Sequence, residues 1–571
     1  MTDDGSKSRG KSGLSAIVPI LGWLPKYQRT WLRSDLIAGL TVAALVVPKS
    51  LGYAGIAGIP LQYGLYAAAA GAILYALFGT SRQIATGPSS ALAAVAAGAV
   101  VAVSASDKEA LLMVASITLI SGLLFLLLAV FRMGWISQFL SKAVIVGFLF
   151  GAGLQVAIGE LSGITGTKTD GSNSWQEFGS WVGSLGNTDT TTLLVGGIAL
   201  LVIFGLRFTY PKIPGALVLV VGGLLASALL DLGSEGVALV GNVPSGLPSV
   251  VFPDTGYIGD NIQAILTAAT ALLLIGFSQT AGDARAFASK HRYQVDINQE
   301  SVAQGVANAG SGMVQGIPVS ASLSASSLND ETGAKTPLAS LTTGAVVVLT
   351  MLFLAPVFSD LPKPVLSALI IEAVVMGMMN VAGMERLYRV KRSDFWIAAA
   401  ALLGVLSAGV LVGVIIGVIL SIGWLVYVSA FPEMPVLGRQ PGGQAFRSIS
   451  AHSDYETYPG MLVLGFDAGL FFVDSDALED RLRTLSGDSD PDLEVIVIDF
   501  EGVNYMDSQG SGTISKLVSL ARSYGIELRL ARVKPQALDI MRLDGVVDEI
   551  GEADIYNTVY EAAEDHIQSS S

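Results

Sequence analysis

Residues Gly316–Thr336 read GIPVSASLSASSLNDETGAKT, and the architecture turns on where that stretch lies. A Gly-Ile-Pro turn ends one apolar run, a short Ser-rich helix of barely two turns is predicted to follow, and a polar exit leads to the next apolar run. Inside a bilayer such an interruption is tolerated only where it lines a cavity, because a broken helix leaves backbone N–H groups without partners. The same break places roughly half a positive charge at the helix N-terminus, and those N–H groups are suited to holding an anion. Ser320, Ser322, Ser324, Ser326 and Ser327 add hydroxyl donors without fixed charge. Small residues also let membrane helices approach closely, so packing alone is the competing explanation. A second copy favours function: Thr86–Leu92, TGPSSAL, repeats the order Pro, then Ser-Ala, then an apolar residue. Two Pro-headed short segments in the two halves of a membrane protein are the mark of an inverted-repeat transporter.

Composition supports the bilayer. The chain has 571 residues, of which 51% are hydrophobic and only 14% charged, with a mean hydropathy of +0.59. A soluble enzyme of this size has no use for so much apolar surface. Cys is absent and His occurs three times, which excludes disulfides and thiol catalysis and argues against a His-based metal site or proton relay. No metal triad, nucleophile–base pair or nucleotide motif occurs in the apolar part, so no enzyme activity, cofactor, metal or nucleic-acid partner is expected. Residues 1–34 are polar and basic and carry no cleavable signal pattern. They are expected to be a cytoplasmic segment. The net charge of −14 reflects soluble surface, much of it after residue 450.

Spans are expected near 35–56, 63–79, 86–103, 110–131, 135–158, 192–208, 214–232, 262–284, 297–315, 318–328, 337–357, 364–382, 394–408 and 410–430, about fourteen with two short and interrupted. Threading them from a cytoplasmic N-terminus puts Arg82, Arg132, Lys142, Arg207, Lys212, Arg285, Lys290, Arg292, Lys335, Arg386, Arg389, Lys391 and Arg392 on the inside, as the positive-inside rule asks. The outside loops hold only Lys108, Lys168 and Lys363. An even count returns the C-terminus to the cytoplasm. The transport domain is therefore expected at 35–430 and a Pro/Gly linker at 431–457.

From 458 to 571 the pattern is that of a small cytoplasmic α/β domain. Met461–Phe466, Glu494–Phe500 and Ile526–Ala531 read as strands, with helices near 474–485, 510–524 and 535–543. Tyr505–Gly512, YMDSQGSG, lies between a strand and a helix. It serves either as a ligand-facing loop or as a plain Asp/Ser helix cap.

The long motifs DLIAGLTVAALVVPKSLGYAGIAGIPLQYGLYAA, LFGTSRQIATGPSSAL and NQESVAQGVANAGSGMVQGIPVSASLSASSLNDETGAKT closely resemble the sulfate permease (SulP) family, also called solute-carrier family 26. PVLGRQPGGQAFRSI and GLFFVDSDAL resemble that family's linker and its STAS domain, named for sulfate transporters and anti-sigma-factor antagonists. The resemblance covers nearly the whole chain. It implies a polytopic α-helical membrane protein with fourteen segments in a seven-plus-seven inverted repeat, two half-helices and a C-terminal α/β STAS domain. It further implies a homodimer in the plasma membrane (a bacterial inner membrane) that moves sulfate, bicarbonate, chloride or dicarboxylates, with the STAS domain open to a cytosolic partner. The third and tenth segments would face each other across the anion. That places Pro88, Ser89, Ser90 and Ala91 on one side and Ser322, Leu323, Ser324 and Ala325 on the other.

The first segment adds Lys49 and Tyr53, one turn apart on a common face beyond the kink expected at Pro48. An ammonium inside a span costs about 2.5–3.5 kcal/mol on insertion scales and needs a partner or a wet cavity. In the resembled family the position of Lys49 is often Gln and lines the anion site. Two further departures stand out. Gln279 occupies a place where the family usually has a coupling carboxylate, and Ala325 one where it usually has Arg. Losing both partners of a buried pair is far less harmful than losing one, and Lys49 then supplies the missing positive charge. Asp283, one turn beyond Gln279, is an alternative coupling acid, although it lies beside Arg285 near the cytoplasmic end.

Three functions are therefore weighed: an anion transporter, sulfate first; a nucleobase permease of the same architecture; and a membrane anchor for a STAS regulator. The basic site residue and the appended STAS domain disfavour the second, and the broken helices disfavour the third. Gln279 does not titrate, so this position confers no proton dependence. Gln279→Glu is expected to add a steep pH dependence with uptake favoured in the protonated state, read as initial uptake rate against pH.

Overall fold

The computed structural model describes residues 18–103, 106–132, 141–171, 173–210, 213–488 and 493–569. Two compact units divide between Ser421 and Ile422. The first is helical: α1 (Leu32–Ile56), α2 (Gln62–Phe78), α3 (Ser90–Ala102), α4 (Asp107–Val130), α5 (Lys142–Thr165), α6 (Ser174–Ser184), α7 (Thr190–Thr209) and α8 (Gly215–Leu230) form its first half. After a short helix α9 (Thr255–Asp260), the second half comprises α10 (Ile262–Lys290), α11 (Ile297–Met313), α12 (Leu323–Glu331), α13 (Leu338–Leu349), α14 (Lys363–Gly377), α15 (Val381–Val390), α16 (Arg392–Ala408) and α17 (Val410–Ala430). Setting aside α6, α9 and α15, fourteen segments among the described residues occupy the expected places. Among the described residues, eight helices are long and apolar enough to cross a bilayer on their own.

Some boundaries differ for local reasons. The expected start at 135 lies outside the described residues, and α5 runs on to Thr165, where Gly166 closes it in the left-handed conformation. The expected span 364–382 stops at Gly377, and Asn380 caps the separate, amphipathic α15. Pro318 opens a strand of three residues, Val319–Ala321, and the Ser-rich helix begins only at Leu323.

Helices sort into two bundles. The first four and the eighth to eleventh segments pack together, with α11 against α4 and α2, and α13 against α1 and α2. The fifth to seventh and the last three form the other, with α5 against α16 and α14. Bare backbones set these contacts. A Cβ at Gly122 would lie 2.4 Å from the Ala309 nitrogen, and one at Gly147 would lie 2.2 Å from the Ala398 carbonyl oxygen. With no hydrophobic drive between helices in lipid, such close approach supplies the packing energy.

At the centre of the first bundle, β1 (Thr86–Pro88) pairs antiparallel with β2 (Val319–Ala321), Gly87 opposite Ser320. Asn308 of α11 brackets β2: the Val319 N–H donates to its Oδ1 at 3.0 Å, and its Nδ2 donates to the Val319 carbonyl at 2.9 Å. Gln304, one turn earlier, donates to Thr86 Oγ1 at 3.0 Å. Buried carboxylates hold the flanking loops. Glu300 accepts from the Thr80 N–H at 2.7 Å, the Ser81 N–H at 3.1 Å and the Tyr75 hydroxyl. Asp35 accepts from the Lys335 N–H at 2.7 Å and the Thr336 hydroxyl at 2.7 Å.

The second unit carries a parallel sheet in the order β5 (Met461–Gly465), β6 (Val495–Asp499), β7 (Glu527–Ala531), β8 (Ile555–Tyr556). Both faces are covered, so its strands are apolar on both sides. Leu462, Leu464, Ile496 and Ile498 pack under α18 (Ser475–Asp488), α19 (Ser508–Ser523), α20 (Pro535–Leu543) and α21 (Val546–Ile550). Met461, Val463, Val495 and Val497 meet Ala562, Ala563 and Ile567 of α22 (Val559–Ser569). The stretch expected as a linker contains a hairpin, β3 (Leu437–Arg439) with β4 (Phe446–Ser448). Val436 bridges antiparallel to Leu464, so the hairpin belongs to this fold. At Tyr505–Gly512 Asp507 caps α19, accepting from the Gly510 N–H at 2.8 Å. Ser511 is wholly buried behind it while Ser508 is exposed.

Asn308→Leu strands the Val319 N–H and carbonyl, each loss costing about 1–3 kcal/mol. Thermal unfolding in detergent is expected to show a large drop for Asn308→Leu and a smaller one for Asn308→Asp, which keeps the acceptor.

Candidate functional site

Both half-helices start from the paired strands. Ser89 is the N-cap of α3, its Oγ accepting from the Leu92 N–H at 3.4 Å. Ser322 is the N-cap of α12, accepting from the Ala325 N–H at 3.5 Å. Extended backbone at each cap (φ −132°, ψ 149° at Ser89) turns the chain from strand to helix. The caps engage one donor each at long range. The N–H groups of Ser90 and Ala91, and those of Leu323 and Ser324, have no protein acceptor among the described residues. Two positive helix ends thus converge on one place. Val319, directly after Pro318, contributes no free donor because Asn308 takes its N–H.

α12 is held to the first repeat. The Ser322 N–H donates to the Ala85 carbonyl at 3.1 Å, the Ala85 N–H to Ser326 Oγ at 3.0 Å, and Asn329 Nδ2 to the Gln83 carbonyl at 2.9 Å. At its far end Asp330 pairs with Lys290, the last residue of α10, and with His291 just beyond it, both at 2.6 Å.

A cavity opens beside the strands. Its walls include Lys49, Ser50 and Tyr53 of α1, Thr86, Gly87 and Pro88 of the first crossing, and Ser322, Ser324 and Ala325 of the second. The centre of a water-sized sphere can explore about 20 Å³ of it, room for one or two waters or a small ion. Lys49 is the sole formally charged residue among these walls. Its ammonium has no hydrogen-bond or ion-pair partner among the described residues. Ser340 and Thr343 also line the cavity, but their hydroxyls donate to the Ile84 carbonyl at 3.2 Å and the Gly39 carbonyl at 3.1 Å. Ser322 and Ser324 face one another at 3.3 Å.

The expected residues divide into three sets. Lys49, Tyr53, Pro88, Ser322, Ser324 and Ala325 meet at the cavity. Ser89, Ser90 and Ala91 stand just behind it, at the start of α3. Leu323 is exposed and off the wall. Gln279 lies one layer back, its Oε1 accepting from Ser320 Oγ at 2.8 Å. Asp283, one turn further along α10, lies off the cavity wall, partly exposed.

Four residues escaped the sequence reading. Glu300, Gln304 and Asn308 fall one turn apart on α11 and hold the crossing in place. Their i, i+4, i+8 spacing within a span of small residues was a usable signal. Glu372 of α14 is a lone carboxylate in the apolar run LIIEAVVMG and is 6% exposed. Any acid in the middle of a span calls for a functional explanation.

Residues 32–401 match the sequence model described as Sulfate permease family, and residues 452–562 that of the STAS domain. The "Probable sulfate transporter" of Mycobacterium tuberculosis is 32% identical over 545 residues, covering 94% of this chain and 97% of that protein. The murine anion transporter solute carrier 26 family member A9, solved in its inward-facing state, superposes with a TM-score of 0.88 at 22% identity, covering 99% of this chain and 96% of that one. The transmembrane domain of a cyanobacterial bicarbonate transporter, BicA, superposes with a TM-score of 0.61 at 22% identity, over 70% of this chain and 99% of that one. At that identity the two structures establish the fold.

Lys49→Gln removes the cavity's cation and is expected to weaken anion binding by at least about tenfold, more for a divalent than for a monovalent anion, while Lys49→Glu abolishes it, since one unit charge several ångströms away is worth about 2–4 kcal/mol at an effective protein dielectric near 20. Isothermal titration of the detergent-solubilised protein with each anion reads the effect.

Proposed function

Given that the chain belongs to the sulfate permease family, we propose that it is a secondary transporter that carries a small inorganic anion, sulfate ahead of bicarbonate and chloride, by alternating access. One observation carries the reading: an unpartnered ammonium, Lys49, shares a small cavity with the N-termini of two half-helices. An ammonium held there without a counter-ion is unfavourable, and an anion seated between it and the free N–H groups of Ser90, Ala91, Leu323 and Ser324 relieves that cost. Pro88, Ser89, Ser322 and Ala325 shape the seat, and Ser324 supplies a hydroxyl. Sulfate ranks first because the matching family and the Mycobacterium tuberculosis relative, 32% identical over 545 residues, carry that name.

The two-bundle arrangement supports alternating access. The anion site rests on the first bundle, while α14 of the second packs against α1 beside it. Sliding one bundle past the other would expose the site to either side. Residues 35–430 are taken as the transport domain and 458–571, with the hairpin before them, as a cytoplasmic STAS domain open to a cytosolic partner. Plasma-membrane insertion with both termini cytoplasmic follows from the distribution of Lys and Arg, and a homodimer from the family. Gln279 is neutral and bonded to Ser320, so neither it nor the peripheral Asp283 is assigned to coupling.

Purified protein in liposomes is expected to take up labelled sulfate faster than bicarbonate or chloride, and Ser324→Leu to abolish uptake while leaving the oligomer unchanged. Uptake of uracil that sulfate inhibits would favour a nucleobase permease. Undiminished transport by Ser324→Leu would place the anion elsewhere.

A further inference from the structure

Between α14 and α16 the chain forms α15, VAGMERLYRV, none of whose residues is buried. With Glu385, Arg386 and Arg389 in one short helix, α15 is too charged for the acyl core, so it lies at the membrane surface where its neighbours end. At about 3.6 residues per turn its side chains fall into three stripes. Gly383, Met384 and Leu387 are half-buried, and the helix packs against α16 and α5. Glu385, Arg386 and Arg389 form an exposed charged stripe. Val381 and Tyr388, two turns apart, lie between those stripes and are 64% and 51% exposed. The apolar arc is wider than the protein covers.

The first turn of α16 extends this surface. Arg392 sits over the Tyr388 ring, its guanidinium carbon 5.6 Å from the centroid. Tyr388 meets Phe395 edge-on at 5.2 Å between centroids, and Phe395 is 5.4 Å from Trp396, which is 65% exposed. From Val381 to Trp396 the chain carries Arg386, Arg389, Lys391 and Arg392 against Glu385 and Asp394. A local excess of positive charge stands out in a chain of net charge −14. Arg389 pairs with Glu385 at 3.2 Å. The side chains of Arg386, Lys391 and Arg392 have no ion-pair or hydrogen-bond partner among the described residues.

We propose that α15 and the first turn of α16 form a docking surface for the headgroups of anionic phospholipids. Arg386, Lys391 and Arg392 take the phosphates, and Val381, Tyr388 and Trp396 enter the apolar edge of the leaflet. Cations alone would suit any dissolved phosphate, whereas an apolar flank beside them fits a molecule with an anionic head and an acyl body. Guanidinium groups bond phosphate oxygens in pairs, and Tyr and Trp are favoured at the boundary between headgroups and acyl chains. Arg392 stacked on Tyr388 joins the two kinds of contact in one place. α15 packs on helices of the second bundle, so a lipid held there grips that bundle and not the one that carries the proposed anion seat.

Full-length protein in detergent, titrated with phosphatidylglycerol and separately with phosphatidylcholine, tests the proposal, with retained lipid counted by native mass spectrometry. Wild type is expected to retain phosphatidylglycerol in preference. Each basic side chain near an anionic surface contributes about fivefold in affinity. Arg386→Gln, Lys391→Gln and Arg392→Gln combined are therefore expected to weaken phosphatidylglycerol on the order of a hundredfold and to leave phosphatidylcholine unchanged. Arg386→Lys with Arg392→Lys keeps the charge and is expected to keep most of the preference. Val381→Ser with Tyr388→Ser is expected to weaken both lipids. Equal retention of the two lipids by wild type, or full phosphatidylglycerol retention by the triple Gln variant, would overturn the proposal. So would displacement of phosphatidylglycerol by millimolar inorganic phosphate, the mark of a site for dissolved anions. Loss of the oligomer in the triple variant with lipid retention intact would make the surface a contact between copies of the chain and overturn it too. If the triple variant does not fold, salt decides on the wild type: raising it from about 50 mM to about 500 mM screens the cations and is expected to abolish the preference. A preference that persists would overturn the docking surface.

Discussion

A bilayer offers no water to an interrupted backbone, and this transporter interrupts its backbone twice at the same place. β1 and β2 resolve that conflict by satisfying each other, three residues against three, while α11 closes the remaining valences through Gln304 and Asn308. Everything around the site follows from this pairing. It joins the two halves of the chain, fixes where both half-helices begin, and aims their N-termini at one cavity. Glu300 and Asp35 perform the same service for the loops beside it, each taking up N–H groups that would otherwise be stranded.

The proposed seat of N–H groups, hydroxyls and one ammonium would recognise charge and size, with little directional selectivity between oxyanions. Such a seat suits a transporter, since an ion must leave as readily as it enters. Lys49 lines the cavity without a hydrogen-bond or ion-pair partner among the described residues.

The STAS unit follows a different logic. Its strands are apolar on both faces because helices cover both, and its register is set by parallel pairing from Met461↔Val495 to Ala531↔Tyr556. Asp507 caps α19, and Ser511 lies wholly buried, which leaves Ser508 as the accessible hydroxyl at that helix start. Gln509, which has no hydroxyl, is exposed beside it.

Hydropathy and the two Pro-headed Ser-Ala repeats were enough to place the fourteen segments, the two half-helices and the STAS strands, because each depends on local periodicity or on residue types that act over a few positions. Lys49, Tyr53, Pro88 and Ser324 were legible for the same reason: an ammonium in a span and a Pro before a short helix are unusual wherever they occur. The three-residue strand after Pro318 was not legible, since its partner lies more than two hundred residues away and only pairing makes it a strand. The hairpin at 437–448 was likewise hidden within a Pro/Gly-rich stretch, because its place in the sheet depends on Val436 meeting Leu464. The roles of Gln304 and Asn308 were hidden for the same reason, because each acts on a strand that lies elsewhere in the chain. Local chemistry is written along the chain, whereas partnership between helices and strands arises only when the tertiary fold brings distant residues together.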